Sequence, residues 1–476
     1  MTMPNYDTSE EEINLNALIL KRFQDCADLT VQEIADNQMT LYYFDHLLDK
    51  SQYHELVSQF FEDAPTAIGL QRLLHVWNEI EGLNQEQMVQ TLEEAILGGE
   101  IGGIYGSKIY RISVGSPESR SIQSSNREAI ITGPHDAFVE QSTTNISLIR
   151  RRIRSHLLKV HKFDVGRDQP IITYLLYMEG TALPAVVDEA ITRLSKLKLK
   201  QALDGNVIAK RMDDNAYSLF PQWLGTERPD LASNHLIHGK VAIITNESPT
   251  VIIAPARLTD FFAVSGDAYE RWHFSLFIRI LRFVAFALSL VFSAFYVAVT
   301  TYHYQLVPPS LLQTIVESRL RVPFEPMIEA LLMEGVIELL REAGARLPTK
   351  IAQTIGIVGG LVIGQAVVQA GLASNVLIVA VAASALSSFI VPNYTMETSM
   401  RILRFVSIIL AGYLGYFGIF LFIAMFVTHV CHLRTLNQEY ALLENIFQFS
   451  FLSKEKLPYT VANTSTATST KGESDS

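Results

Sequence analysis

The stretch from residue 322 to 392 limits what this chain can fold into more than any other. It opens as VPFEPMIEALLMEGVIELLREAGARLP and runs on as IAQTIGIVGGLVIGQAVVQAGLASNVLIVAVAASALSSFIVP, a segment without one charged residue. No ordinary soluble core is built from such a run. Uncharged stretches of about 20 residues read as membrane helices, and this one has the length of two, folded at residues 371–375. The segment before it carries Glu329, Glu334 and Glu338 in an otherwise apolar helical pattern. Carboxylates at membrane depth cost roughly 2.5–3.5 kcal/mol each on insertion scales, so these three must be shielded or used.

Composition makes sense once the charge is seen to be segregated. Of the 476 residues 49% are hydrophobic and 18% charged, the charged ones dense before Arg282 and sparse after Lys350. A net charge of −11, with no basic cluster interleaved with aromatics, argues against a nucleic-acid surface. Cys26 and Cys431 are the only cysteines. They build neither a disulfide framework nor a zinc site, and no metal or cofactor is expected. The acidic N-terminus, MTMPNYDTSEEEINLNALIL, lacks the features of a signal peptide, which keeps the large polar part on the cytoplasmic side.

The polar part reads as two similar α/β subdomains, residues 1–115 and 171–265, joined by a linker and basic helical arm at 116–170. An all-α polytopic membrane domain of four or five helices follows at 266–435, then a tail at 436–476, disordered after about 452. Strands are expected at 29–34, 39–44, 101–105, 108–114, 171–178, 240–245 and 250–254. Helices are expected at 13–23, over most of 53–97, and at 136–158, 184–197 and 231–237. The pattern of ILGGEIGGIYGSKIYRIS returns in LIHGKVAIITNESPTVII, which points to an internal duplication.

The first span is 283–301, flanked by Arg271, Arg279, Arg282 and Trp272. A loop at 302–323, the Glu-bearing helix, the uncharged hairpin and a last span at 405–428 follow. If the Glu helix spans, there are five crossings and the C-terminus lies outside. If it is re-entrant or interfacial, there are four and the C-terminus lies inside. Arg341, Arg346 and Lys350 support the first count, and Arg434, Lys454 and Lys456 the second, so the positive-inside rule leaves both open.

Most motif-like features have plain explanations. GGEIGGIYGSK has the glycines of a phosphate loop without the G-x-x-x-x-G-K-[ST] order, and it sits between strands, so a hairpin is expected. His429, Cys431 and His432 read as interfacial polar residues at a helix end. No nucleophile-and-base constellation points to an enzyme. The basic run 150–154 reads as part of an interdomain helix, or as an arm for a neighbouring subunit or acidic lipid.

Two patterns carry more. Gly356, Gly360 and Gly364 make a smooth helix face for close packing, and Ala380, Ser384 and Ser388 repeat the spacing on the next helix. Such packing lies within one subunit or between subunits. At about 100° per residue, Glu334, Glu338, Arg341 and Glu342 share one face of their helix. Either these carboxylates lie in the headgroup zone of an interfacial helix, or Glu334 and Glu338, with Glu329, border an ion path. One such carboxylate per subunit of an oligomer makes a ring that favours cations.

Several of these stretches resemble a known family. TERPDLASNHLIHGKVAIITNESPTVIIAPA, then FIRILRFVAFALSLVFSAFYVAVTTYHYQLVP, and the Glu helix with IVGGLVIGQAVVQAGLAS resemble the A subunit of the GerA-type spore germinant receptors. GPHDAFVEQSTTNISLIRRRIRS resembles that family's arm between two soluble subdomains, although Ala137 stands where the family usually has Gly. The resemblance runs from about residue 120 to 434. It implies a multi-pass protein of the endospore inner membrane with a cytoplasmic N-terminal domain. The expected partners are a transporter-like B subunit that binds the nutrient, a lipoprotein C subunit, membrane lipid and further copies of the chain in a ring, a pentamer. Such a ring would be a nutrient-gated channel for monovalent cations that starts germination. The alternative is a membrane-anchored scaffold or a secondary-transporter component of the same complex, although so few spans without a repeated pair of membrane halves speak against a transporter.

Overall fold

The computed structural model describes residues 9–441 apart from 35–38, 50, 54–76, 81–83, 107, 115–127, 129–132, 198 and 200–203. The loose start before residue 9, most of the helix expected within 53–97, the Ser-rich start of the linker and the tail after 452 lie outside the described residues.

The first unit runs α1 (Ser9–Arg22), β1 (Leu29–Ile34), β2 (Met39–Phe44), β3 (Asn78–Ile80), α2 (Gln85–Leu97), β4 (Glu100–Tyr105) and β5 (Lys108–Ser113). Its sheet has the order β1-β2-β4-β5-β3, with every pairing antiparallel. Helix α2 starts at a capping box between Asn84 and Gln87 and buries Val89, Leu92 and Ile96. The glycines of GGEIGGIYGSK have a packing role. A Cβ on Gly102 would lie 2.2 Å from Leu92 Cδ1, so the bare strand lets α2 press against the sheet.

The second unit runs α3 (Ser142–Arg152), β6 (Leu158–Val165), β7 (Ile171–Met178), α4 (Pro184–Lys196), α5 (Gly205–Arg211), β8 (Leu224–Thr226), α6 (Pro229–Ile237), β9 (Val241–Thr245) and β10 (Val251–Ala254). Its sheet order is β6-β7-β9-β10-β8, the same permutation as in the first unit. Strands β9 and β10 are buried throughout. One apolar cluster, with Val186, Ala190 and Ile208 from α4 and α5, covers one face, and a second, with Ile149 and Leu236 from α3 and α6, covers the other. That is why VAIIT and VIIA read as unbroken apolar runs.

The long helix expected at 136–158 is a correction. Only Ser142–Arg152 is helical. The Asn145 side chain bonds both backbone groups of Val139 and holds the approach to the helix extended. Beyond it, LKVHKFDV is extended and pairs along its whole length with β7, its apolar side chains changing face between Val160 and Phe163.

Seven helices follow: α7 (Trp272–Thr301), α8 (Pro309–Arg319), α9 (Pro326–Arg346), α10 (Thr349–Gln369), α11 (Asn375–Phe389), α12 (Tyr394–Leu414) and α13 (Tyr416–His432). Among the described residues α7 alone is long and apolar enough by itself to cross a membrane, and α11 and α13 are apolar but shorter. Two expectations are overturned here. The loop at 302–323 contains α8, which Pro309 starts at its first position. The single span at 405–428 is two helices that double back at Gly415, whose φ of 61° and ψ of −137° suit glycine.

Contacts fix the direction of each helix. The start of α7 is held to the α/β region by Arg282, which donates to Asp267 at 2.6 and 3.0 Å and to the Phe262 carbonyl at 3.0 Å. Its far end, at Tyr302, meets Tyr413 beside the Gly415 turn. Helix α9 starts at that far end, with Met327 under Gly412, and finishes at the near end, with Arg341 on Glu397. Helix α10 runs back to the far end, where Gly371 approaches Arg321. Helix α11 returns to bring Phe389 under Arg341. Helix α12 runs out and α13 runs home, its His429 3.0 Å from Ser218 of the α/β region. A short hairpin, β11 (Arg434–Thr435) and β12 (Gln438–Glu439), then lays Leu436 and Tyr440 into the α/β core, and Leu258 donates to the Tyr440 carbonyl at 3.0 Å. The described chain therefore makes six passes through the helical region and ends on the side where it entered.

Candidate functional site

Helix α9 forms because Pro326 opens it and strong helix formers fill it, and Leu347–Pro348 ends it. Its three glutamates come out at three levels. Glu334 is at the middle, buried to 1% together with Arg404 of α12, which donates to it at 2.8 Å. Ser293 of α7 donates to the other carboxylate oxygen at 2.8 Å. Arg404 also donates to the Ser289 carbonyl at 2.9 Å, the Ser289 hydroxyl at 2.8 Å and the Ser384 carbonyl at 3.4 Å. One ion pair thus joins α7, α9, α11 and α12, with both partners' hydrogen-bonding capacity largely met. Buried pairs of this quality specify an arrangement more than they stabilise it.

Glu338 lies toward the near end, 26% exposed at its side chain, and accepts from Arg401 at 2.9 Å. Beside it Arg341 donates to Glu397 at 2.8 Å and to Ser388 at 3.1 Å, with its guanidinium 4.3 Å from the Phe389 ring centre. Glu329 lies toward the far end, fully buried, and accepts the Ser374 amide, which caps the start of α11. Arg319 of α8 comes to 3.8 Å from it. Four arginines (319, 341, 401 and 404) and four glutamates (329, 334, 338 and 397) therefore meet within the helical region, and their charges cancel.

The two small-residue faces separate. Ala380, Ser384 and Ser388 of α11 are buried, and Ser384 donates to the Ser289 carbonyl of α7. Gly360 and Gly364 of α10 have nothing within 4 Å of where a Cβ would be. Helix α10 packs chiefly on α9. Gly356 lies in the part of α10 whose surroundings are outside the described residues.

Two arginines of the basic run have structural partners. Arg150 is fully buried, donates to both oxygens of Asp28 at 2.9 and 3.0 Å and lies 4.6 Å over the Phe44 ring, which ties the arm to the first unit. Arg152 donates to Asp136 at 2.6 Å. Arg404 and Asp28 escaped the sequence reading. In the sequence Arg404 stands just before the apolar run at 405–428, and only its place ten residues inside α12 marks it as interior.

A family model described as Bacillus/Clostridium GerA spore germination protein matches residues 17–459. Spore germination protein A1 of Bacillus subtilis (strain 168) is 37% identical over 428 residues, 89% of each chain. Spore germination protein GerQA of Bacillus cereus is 38% identical over 427 residues, 89% of this chain and 85% of that one. A crystal structure of the N-terminal domain of the A subunit of the Bacillus megaterium spore germinant receptor GerK3 aligns with a TM-score of 0.37 and 21% identity, over 51% of this chain and 93% of that one.

Proposed function

Because the chain belongs to the GerA spore germination protein family, whose members are non-catalytic receptor components, we propose that it is the A subunit of a nutrient germinant receptor and part of that receptor's cation channel. In this reading the helical region is embedded in the endospore inner membrane and the two α/β units lie in the cytoplasm. A nutrient-binding B subunit and a lipoprotein C subunit are its partners. Copies of the chain assemble as a ring, a pentamer, around a path for monovalent cations.

The observation that supports this most is helix α10. It carries no charge after Lys350, it packs chiefly on α9, and it turns Gly360 and Gly364 outward into open space. Small residues on an uncovered apolar helix suit close packing against another helix in lipid. The pairing of each buried carboxylate with an arginine fits the same picture, since an unpaired charge inside an apolar bundle is costly. The three glutamates then divide the work. Glu338, the one with a partly exposed side chain, borders the ion path. Glu334 and Glu329 hold α9 in register behind it.

The test is reconstitution of the chain with its B and C partners in liposomes loaded with potassium. Nutrient-triggered potassium release that depends on this chain supports the channel reading. Stoichiometric solute uptake would support a transporter component, and neither activity a scaffold. Cross-linking of Gly360→Cys between copies is expected in the assembled receptor, and a strictly monomeric chain would contradict the ring.

A further inference from the structure

The segment between α5 and β8 belongs to the α/β region but sits against the last two helices. It is braced from within: Gln222 accepts from the amides of Asp214 and Asn215 and donates to the Asn215 carbonyl. From this base three groups reach the bundle. Ser218 Oγ is 3.0 Å from His429 Nε2 on α13, the Leu219 carbonyl accepts from Ser399 Oγ on α12, and Phe220 packs edge-on against Phe426. Two side chains of the same segment point away from the protein: Tyr217 is 98% exposed and Leu219 43%.

Depth gives these two exposures a meaning. The Gly415 turn sits at the far end beside Tyr302 and His303. At about 1.5 Å of rise per residue, Ser399 and His429 lie about 24 and 21 Å from Gly415 along their helices, within the roughly 30 Å of a hydrocarbon core, whereas Tyr394 at the start of α12 lies about 31 Å away. Any tilt of the helices takes the two contact points deeper. Residues 217–219 are thus held at or just inside the level that the exposed Tyr394 ring marks. A tyrosine with an apolar ring and a polar tip suits that boundary, and leucine suits the layer beneath it.

We propose that residues 217–219 are an interfacial anchor, a loop of the second α/β unit that enters the headgroup–acyl boundary of the bilayer beside α12 and α13. The inference rests on the reading of the helical region as membrane-embedded. The occupant is the phospholipid interface, because the loop packs on Phe426 and His429 of α13, and the residues beside Phe426, Met425 and Val427, are exposed apolar side chains. The second unit is thereby fixed to the membrane at two separate places, through Arg282 at the root of α7 and through this loop.

The test uses nitroxide labels on the full chain in phosphatidylcholine–phosphatidylglycerol liposomes, in a Cys431→Ser background, with Cys26 buried. Labels at Tyr217→Cys and Leu219→Cys are compared with Phe420→Cys as the lipid reference and Ile237→Cys, exposed at the end of α6, as the water reference. Relaxation by oxygen and by a water-soluble nickel chelate reads depth. The anchor predicts oxygen-favoured relaxation at 217 and 219, with the sign found at 420 and opposite to that at 237. Nickel-favoured relaxation at both sites while 420 stays lipid-like would overturn the anchor and leave the membrane reading standing. Protection from both reagents would also overturn it, since a protein partner would then cover the loop. A nickel-accessible label at 420 would remove the membrane reading itself.

Discussion

Arg404 and Glu334 meet at 2.8 Å in the middle of the bundle, and each would be an uncompensated charge without the other. Arg404→Ala leaves Glu334 with Ser293 as its remaining hydrogen-bond donor. The expected loss is about 3–5 kcal/mol, read as a lower melting temperature in detergent. The double variant Arg404→Met with Glu334→Met should recover much of that loss, because it removes both charges together. Equal loss in the single and double variants would contradict the pairing. In the first α/β unit, His46 Nε2 lies 3.7 Å from Asp28 and its side chain is buried. Burial pushes its pKa down to about 4, against the pull of Asp28. Below its ordinary value near 6.5 the unfolded chain takes up a proton that the folded chain refuses. Stability is therefore full above that pH and falls as pH drops toward about 4, by at most about 3 kcal/mol. Melting curves of His46→Gln across this range should show a shallower acid dependence than the parent. At this scale the sequence shows which residues are out of place but not what completes them. Glu329 and Glu334 stand out as carboxylates in apolar helix, yet Arg404 is 70 residues from Glu334, and Arg150 is 122 from Asp28. Neither pairing leaves any local pattern to read.

Among the elements, the crossing of α12 and α13 is the tightest. A Cβ on Gly418 would lie 2.0 Å from the Leu410 carbonyl oxygen, which is backbone and cannot step aside. A Cβ on Gly412 would meet Met327 Sδ, Cγ and Cβ at 2.4, 2.5 and 2.7 Å, so the side chain is in the way down to its root and a new rotamer does not clear it. Gly418→Ala and Gly412→Ala should therefore each cost about 1–3 kcal/mol or more, by thermal unfolding of the two variants. A Gly418→Ala variant as stable as the parent would mean that the helices do not double back at Gly415. The same element explains where the sequence reading stopped. YLGYFGIF is apolar on both sides of the turn and carries no proline or charge, so periodicity alone joins two helices into one. The opposite error came at α3, where basic residues carried the helical pattern past Arg152 into a strand. Strands with period two or with continuous apolar runs, such as β1, β2 and β7, were legible to the residue. The short edge strands β3 and β8, three residues each, give too little pattern to read.

For the whole molecule, the sheet orders show the duplication more clearly than the sequence does, because strand permutation survives where residue identity has faded. The six passes also bear on the conflicting charge signals around the proposed membrane region. The turn after Arg346 and the chain after His432 lie at the same end of the bundle, next to the α/β units, so Arg341, Arg346 and Arg434 fall on one side, as the positive-inside rule would ask of the proposed membrane region. The outward glycine face of α10 and the partly exposed Glu338 are the surfaces on which the proposed ring of copies around an ion path rests. The most direct measurement of that claim is cation current through the reconstituted receptor carrying Glu338→Cys, before and after a positively charged thiol reagent. The account predicts a loss of nutrient-evoked potassium current that reduction of the adduct restores. Full modification with unchanged current and unchanged cation selectivity would contradict it.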